Sequence, residues 1–405
     1  MKLSKYNYIV KKSSYFLIYN TFTCACVILN QHEYNSFCDT SHATEKSEGF
    51  IKMGLWVNDE CDETQKAIDK LKEDINNSKY QVFKIYTTMK CNAKCYYCFE
   101  QQSLEGKYNI NCIEDIVTFI KNHLIPNKKT VIEFFGGEPL INSNGIDDLC
   151  KKLNSNNIDF YSKMITNGYL FNQMTIANSL KNWRLKVVQI TLDGMNYYYE
   201  KVKKFGDSNS FERVIENIDA LTANKVIVNI RINYSKTNFD EVINLIHFLG
   251  EKYAKNEMLG VYTSPIFETE SESNELKIAL FNEMLGVGLI NNIYNTITTR
   301  AGRCIANLPN SYAIYTNGKI GKCSRAISDG EFIGNIYYTN REKEKKWINT
   351  EISVKCTKCK RFPLCNGGCI YKKSINEDFC EIDEDLLLHK LNLILDENIS
   401  KKNKQ

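Results

Sequence analysis

The sequence predicts an α/β protein: a parallel sheet curved into a full or partial barrel, preceded by a small α+β module and followed by a cysteine-rich region. Three observations carry that expectation. From residue 81 to about 300, short runs rich in β-branched and aromatic residues alternate with segments of helical apolar spacing. Three cysteines in C-x3-C-x2-C spacing, Cys91, Cys95 and Cys98, follow the first of those runs directly. Beyond about 300 the chain becomes short-segmented and cysteine-dense, a composition that builds little apolar core and uses metal cross-links instead.

The expected strands are Tyr80–Thr87, Thr130–Phe135, Phe160–Thr166, Lys186–Leu192, Lys225–Asn233 and Met258–Tyr262. Helices are expected over Ile110–Asn122, Ile146–Asn154, Gln173–Asn182, Phe211–Ala223 and Phe239–Tyr253. Repeated β-α units make right-handed crossovers in one parallel sheet. Such sheets hold their ligands at the carboxyl ends of the strands, which places the cysteine triplet in the first βα loop, at the mouth. Ahead of the sheet, Tyr15–Tyr19 and Cys24–Leu29 flank Asn20–Thr23 and read as a β-hairpin, with Cys24 and Cys26 on one face of its second strand. Gln31–Phe37 reads as a short helix. Ala67, Ile68, Leu71 and Ile75 give Asp62–Asn76 an amphipathic helical stripe. The acidic Glu268–Glu275 reads as a solvated loop before a helix near Leu276–Ile290. The expected domains are 1–80, 81–300 and 301–385, with 386–405 as a C-terminal helix or tail.

The 405 residues carry 52 Lys and Arg against 48 Asp and Glu, a net charge of +4 with no extended basic run, so no nucleic-acid footprint is present. Apolar runs such as Tyr15–Tyr19 are too short to span a bilayer, and the first residues lack a signal-type apolar core. A soluble, cytoplasmic protein without membrane or nucleic-acid partners is therefore expected. In that compartment sixteen cysteines point to metal or catalysis rather than disulfides.

A [4Fe–4S] cluster fully ligated by protein needs four thiolates. The triplet offers three, which leaves one iron open for a small molecule. Half of a zinc site is the plainer reading of the same cysteines. Further segments stand at strand ends: Gly136-Gly137-Glu138-Pro139 after the second strand, Thr166-Asn167-Gly168 closing the third, Thr191-Leu-Asp193-Gly194 closing the fourth and Arg231-Ile-Asn233 ending the fifth. Taken with the aromatic Tyr97 before Cys98, these segments resemble the radical S-adenosylmethionine (radical SAM) enzymes.

That resemblance implies a partial (β/α)6 TIM-type barrel in which the open iron chelates S-adenosylmethionine and one electron from the cluster releases a 5′-deoxyadenosyl radical. It implies that Gly136, Gly137, Glu138 and Pro139 hold the amino group of S-adenosylmethionine. Thr166 and Asn167 would face its methionine part and ribose, Thr191 the ribose, and Tyr97 and Phe99 the adenine. Arg231 would suit the carboxylate as a planar fork, although a solvated surface arginine fits its sequence context equally. Relatives of this type often carry an arginine after the Asp-Gly; here Tyr199–Lys204 offers only lysines, among them Lys201 and Lys203. Asp193 reads as a turn residue, and no acid–base side chain is assigned.

Cys304, the Gly318-x4-Cys323 segment, the Cys356-x2-Cys359-x5-Cys365-x3-Cys369 run and Cys380 are similar to the SPASM extension of radical SAM enzymes. The resemblance implies two auxiliary [4Fe–4S] clusters, three clusters in all. Cys356, Cys359, Cys365 and Cys380 would hold one, and Cys304, Cys323 and Cys369 the other. Sulfatase-maturing relatives add an eighth cysteine soon after the first; its absence here implies an open iron in the second of these. Paired structural zinc sites are the competing reading. Cys24, Cys26, Cys38, Cys61, Cys112 and Cys150 join no motif and are expected to be small buried hydrophobes.

The N-terminal module looks like the start of maturases for ribosomally made peptides, where a winged-helix-like element binds a precursor leader, and a leader can add as a strand to a sheet edge. The implied activity is hydrogen abstraction from a precursor peptide and formation of a cysteine thioether, as in ranthipeptide and sactipeptide maturation in anaerobes. Flavodoxin or ferredoxin would be the electron donor. Sulfatase-type Ser/Cys oxidation and carbon–carbon cross-linking are alternatives of the same chemistry. A non-catalytic iron–sulfur protein for electron transfer or redox sensing is the alternative of another class.

Overall fold

The computed structural model describes residues 1–41, 45–100, 112–207, 209–266, 274–298, 304–325, 328 and 330–402. The chain forms two compact units: a smaller one of residues 1–77, 291–304 and 350–405, and a larger one of 78–290 and 305–349.

In the smaller unit, β1 (Lys2–Leu3) pairs with β5 (Trp56–Val57), while β2 (Asn7–Lys12), β3 (Tyr15–Asn20) and β4 (Cys26–Asn30) form an antiparallel sheet in that order. The expected hairpin is β3–β4, in register Leu17↔Ile28. Cys24 lies outside it, at φ +60° in the turn, so Cys24 and Cys26 do not share a strand face. β2 is a third strand that sequence reading missed, because its Lys11 and Lys12 break the apolar alternation. Asn30 caps the helix Gln31–Cys38 reciprocally with Glu33, and Asp62 caps Glu63–Asn76 through Gln65 N–H. The helix Glu384–Lys402 packs on β2 and β3, with Tyr8 Oη donating to Glu384 at 2.6 Å and Lys12 to Asp396 at 2.7 Å. Tyr6, Ala67 and Phe362 form a buried cluster with Cys356 and Cys359 packed against it, so the cysteine-rich segment rests on the N-terminal module.

In the larger unit, β6 (Tyr80–Thr88), β7 (Lys129–Gly136), β8 (Phe160–Thr166), β9 (Leu185–Leu192), β10 (Ile227–Tyr234) and β11 (Leu259–Pro265) are parallel neighbours in chain order. The five expected crossover helices form as Ile113–Asn122, Ser143–Ser155, Gln173–Lys181, Ser210–Ala223 and Phe239–Tyr253. Residues 110–111 and 267–273 lie outside the described residues, and with them the predicted start of the first helix and most of the acidic loop; the next helix is Asn274–Gly286. β12 (Tyr312–Ile314) extends the sheet in parallel on the other side of β6. β13 (Lys319–Gly321), β14 (Gly334–Asn335) and β15 (Tyr338–Thr339) continue it antiparallel.

The two faces of the sheet differ in chemistry. Phe83, Ile85, Ile132, Phe134, Val188, Ile190, Ile230 and Ile232 are buried in one apolar core with the helices. The alternate residues Lys84, Glu133, Gln189, Thr191, Asn229 and Arg231 are half-buried on the other face, where Lys84 pairs with Glu133 at 2.7 Å. This alternation leaves a polar face inside a curved sheet. Ile230 is fully buried in the core, so Ile230→Ala should destabilise the protein by about 2–5 kcal/mol, read from its denaturation midpoint.

Candidate functional site

The loop after β6 carries the cysteine triplet, and two devices fix it. The first is backbone approach. Gly137 N–H donates to Thr88 carbonyl at 3.0 Å and Glu138 N–H to Lys90 carbonyl at 2.9 Å. A Cβ on Gly136, at φ +126°, would stand 2.2 Å from the Thr88 oxygen, and one on Gly137 2.5 Å from the Lys90 oxygen. The two glycines thus bring the end of β7 against the protein's own loop.

Glu138 is fully buried. Its carboxylate accepts from Thr166 Oγ1 at 2.7 Å, Leu140 N–H at 3.0 Å and Asn167 N–H at 2.8 Å. Burial pushes its carboxyl above the usual range, against the lowering by these donors. The side chain fastens the ends of β7 and β8 together. Asn167 Nδ2 donates onward to Asn92 Oδ1 at 2.8 Å, in the cysteine loop. Asn92 Nδ2 is buried and has no hydrogen-bond partner among the described residues, a donor that fits a ligand acceptor at this mouth.

The second device is a buried ion pair. Lys203 Nζ lies 2.8 Å from Asp193 Oδ2, with side chains 3% and 1% exposed. Tyr97 Oη donates to Asp193 at 2.7 Å and accepts from Lys203 at 3.0 Å, while Lys94 N–H donates to Lys203 carbonyl at 2.7 Å. Burial alone would lower the lysine pKa, but the Asp193 carboxylate, then Cys95, holds it well above the ordinary lysine range. Lys203 is therefore committed to Asp193, Tyr97 and the loop, and Lys201 is exposed. Asp193, read from sequence as a turn residue, is half of this pair. Tyr97 reaches it through its hydroxyl, and Phe99 lies under Arg325, whose guanidinium carbon is 4.1 Å from the ring centroid.

Within this frame Cys91 Sγ accepts from Ala93 N–H at 3.3 Å. The residue is exposed, and the negative groups facing its sulfur, Glu138, Cys95 and Cys98, raise its thiol against the pull of that N–H. Crowded thiolates repel, and a cationic metal centre relieves them, so the donor set fits an iron–sulfur cluster. Thr191 and Arg231 are cross-strand partners on the polar face, followed by Tyr262. Arg231 is oriented by Asn233 Oδ1 at 2.9 Å and Ser264 Oγ at 3.0 Å. Tyr262, Ser264 and Gln189, with Tyr262 Oη donating to Gln189 at 2.8 Å, escaped sequence reading because only strand register reveals them.

The smaller unit holds a second cysteine centre. Cys356, Cys359, Cys365 and Cys380 line one cavity with Lys373, Gly367, Gly368 and Phe379. Asn366, Gly367 and Gly368 all have left-handed φ, between +54° and +86°, which turns the chain sharply after Cys365. Arg361 N–H reaches Cys359 Sγ at 3.4 Å. Four thiol donors around one cavity fit a fully ligated cluster. Cys304 and Cys369 belong to this unit and Cys323, buried, to the larger one. Of the six cysteines outside motifs, Cys150 alone is fully buried, in the main core; Cys38 is exposed and the rest are half-buried.

The larger unit is thus a parallel α/β sheet with a tethered cysteine loop at the carboxyl ends of its strands. Residues 85–249 match the model of the Radical SAM superfamily. The chain carries a radical SAM domain, the catalytic domain of enzymes that use a [4Fe–4S] cluster and S-adenosylmethionine. It is 24% identical to a cysteine-type anaerobic sulfatase-maturating enzyme of Clostridium novyi (strain NT), over 71% of this chain and 86% of that protein. It is also 24% identical to the radical SAM cyclopropyl synthase TigE of Paramaledivibacter caminithermalis, over 55% of this chain and 51% of that one. In fold it is similar to native anSMEcpe with bound AdoMet and a Cp18Cys peptide, at TM-score 0.59 and 20% identity, over 80% of this chain and 99% of that one. Streptococcus suis SuiB bound to S-adenosylmethionine gives TM-score 0.51 and 17% identity, over 93% and 97%. Among the described residues no helix is long and apolar enough to cross a membrane.

Glu138→Gln puts an amide NH2 in place of one carboxylate oxygen, against a buried donor it cannot accept from, and should cost about 1–3 kcal/mol, measured by thermal or chemical denaturation. Asp193→Ala strands the buried Lys203 ammonium and should cost about 3–5 kcal/mol and release iron from the first cluster. Because the lysine pKa is raised, the stabilisation it brings is complete below the unfolded value near 10.5 and is lost only as pH rises through the higher folded value. On the alkaline side, a pH–stability profile of wild type against Asp193→Ala should therefore converge only at strongly alkaline pH.

Proposed function

We propose that the protein modifies a cysteine-containing precursor peptide, joining a peptide carbon to a cysteine sulfur as a thioether. The extent of the similarity supports action on a peptide, and the thioether rests on the absence of a cysteine soon after Cys304, where sulfatase-maturing relatives add an eighth. The similarity runs beyond the domain at 85–249 to 86% of a sulfatase-maturating enzyme, and the fold matches a relative that holds a peptide. When bound, the cluster and S-adenosylmethionine supply a hydrogen-abstracting radical at the mouth of the barrel.

The chain's residues prepare that site. Gly136 and Gly137 seat the cysteine loop against β7, and Glu138 locks the turn from which Pro139 and Leu140 continue. Arg231, steadied by Asn233 and Ser264, presents its guanidinium on the polar face beside Thr191, suited to the carboxylate and ribose of S-adenosylmethionine. Tyr97 is spent on Asp193 through its hydroxyl and leaves only its ring for adenine. The helices covering the outer face and the half-buried inner face restrict water around the reacting carbon.

In the net reaction C–H and S–H give C–S. One hydrogen leaves the carbon as an atom, the thiol proton goes to solvent, and the one remaining electron needs an acceptor, which an auxiliary cluster held by the C-terminal cysteines would supply. Cys356, Cys359, Cys365 and Cys380 would hold one auxiliary cluster, and Cys304, Cys323 and Cys369 the other, with an iron open to the substrate thiolate. The antiparallel sheet of the smaller unit, with β2 and β4 as outer strands, offers an edge for a leader, which raises the local concentration of the core peptide. Flavodoxin or ferredoxin would deliver the electron. Oxidation of a cysteine, as in the sulfatase-maturating relatives, is the second reading, favoured by the similarity over 71% of the chain.

Anaerobic incubation with a cysteine-containing peptide encoded beside the gene separates these readings by mass spectrometry after thiol alkylation. A thioether gives loss of two hydrogens and of one alkylatable thiol, and is the expected product. A sulfur-free aldehyde would establish the second reading instead, and loss of two hydrogens with every thiol still alkylatable would place the new bond between carbons.

A further inference from the structure

The cavity lined by Cys356, Cys359, Cys365 and Cys380 holds an ammonium group aimed at one sulfur. Lys373, on the short helix Ile370–Ile375, donates from Nζ to Cys356 Sγ at 2.7 Å. Its stem passes close to Gly368, where a Cβ would meet Lys373 Cε at 3.7 Å, in the left-handed Asn366-Gly367-Gly368 turn. The other cations of the cavity are differently engaged. Lys355 pairs with Asp378 at 2.5 Å. Arg361 gives Nη1 to Ile382 carbonyl at 2.7 Å and lies 3.6 Å from Glu384 through Nη2, which offsets the charge it brings to Cys359. Glu377 and Glu381 line the same cavity.

We propose that Lys373 is a positioning residue that sets the reduction potential of the cluster held by Cys356, Cys359, Cys365 and Cys380. A hydrogen bond from a cation to a ligating sulfur stabilises the reduced form, which carries one more negative charge, over the oxidised form. The step concerned is uptake of one electron by the oxidised cluster, with no proton transferred and the electron supplied by the reacting peptide in turnover or by a chemical reductant in titration. Lys373 therefore makes this centre the better electron acceptor. The inference rests on the ligation by these four cysteines proposed above.

The test is potentiometric titration of the full chain, reconstituted anaerobically with iron and sulfide and followed by electron paramagnetic resonance, together with iron counts. Lys373→Gln should keep the iron and move the midpoint of one cluster downward by about 59 mV, a tenfold change in a one-electron equilibrium. Lys373→Arg, which keeps a charged donor, should restore the wild-type value. Cys356→Ala should lose about four irons, one cluster's complement. An unmoved midpoint in Lys373→Gln, with iron lost in Cys356→Ala, overturns the role of the lysine alone. Full iron in Cys356→Ala overturns the ligation and the inference with it. If Lys373→Gln loses iron, Lys373→Arg decides: retained iron with the wild-type midpoint supports the proposal, and a midpoint displaced despite the retained charge overturns it.

Discussion

An ammonium and a carboxylate 2.8 Å apart, both almost wholly withheld from water, organise the mouth of the larger unit. Lys203 and Asp193 are costly to bury singly, and together they are satisfied only if Tyr97 Oη completes their hydrogen bonds. That requirement pins the segment between Cys95 and Cys98 to the end of β9 and to the helix Asn196–Lys203. The Lys203 carbonyl receives Lys94 N–H, so the same residue fixes the loop by backbone as well as by charge. On the opposite flank the close approach of Gly136 and Gly137 to Thr88–Lys90 does the same for the loop's entrance. A cluster loop needs this rigidity, because three thiolates brought together without metal repel one another.

Much of this was legible before any coordinates. Six strands and five crossover helices could be placed because β-branched runs and 3.6-residue apolar periodicity alternate cleanly there. Their outer faces, such as Ile190 and Ile230, are as apolar as the pattern implies. The motif residues fell at strand ends for the same reason. The strands β12–β15 were not legible: they are two or three residues long, too short to express a period. β2 was missed because lysines end it.

The chemistry inside the motifs was harder to read, since sequence shows residue types and hides their partners. Glu138 sits in a segment associated with ligand binding, yet its carboxylate is consumed by Thr166, Leu140 and Asn167. Asp193 reads as a turn and is an ion-pair partner. The arginine missing after Asp193-Gly194 left two lysines as substitutes. Their surroundings differ: Lys203 faces inward and is committed to Asp193 and Tyr97, and Lys201 faces solvent. Arg231 could be named from sequence, whereas the pair that aims it, Asn233 and Ser264, required the register of β10 and β11.

The account rests on the claim that Cys91, Cys95 and Cys98 hold a cluster with one iron open to S-adenosylmethionine. Its most direct test is 5′-deoxyadenosine formation from S-adenosylmethionine by the reconstituted, reduced full chain, compared with Cys98→Ala. The account predicts 5′-deoxyadenosine from the wild type and none from the variant. No cleavage by an iron-loaded wild-type chain, or equal cleavage by Cys98→Ala, would contradict it.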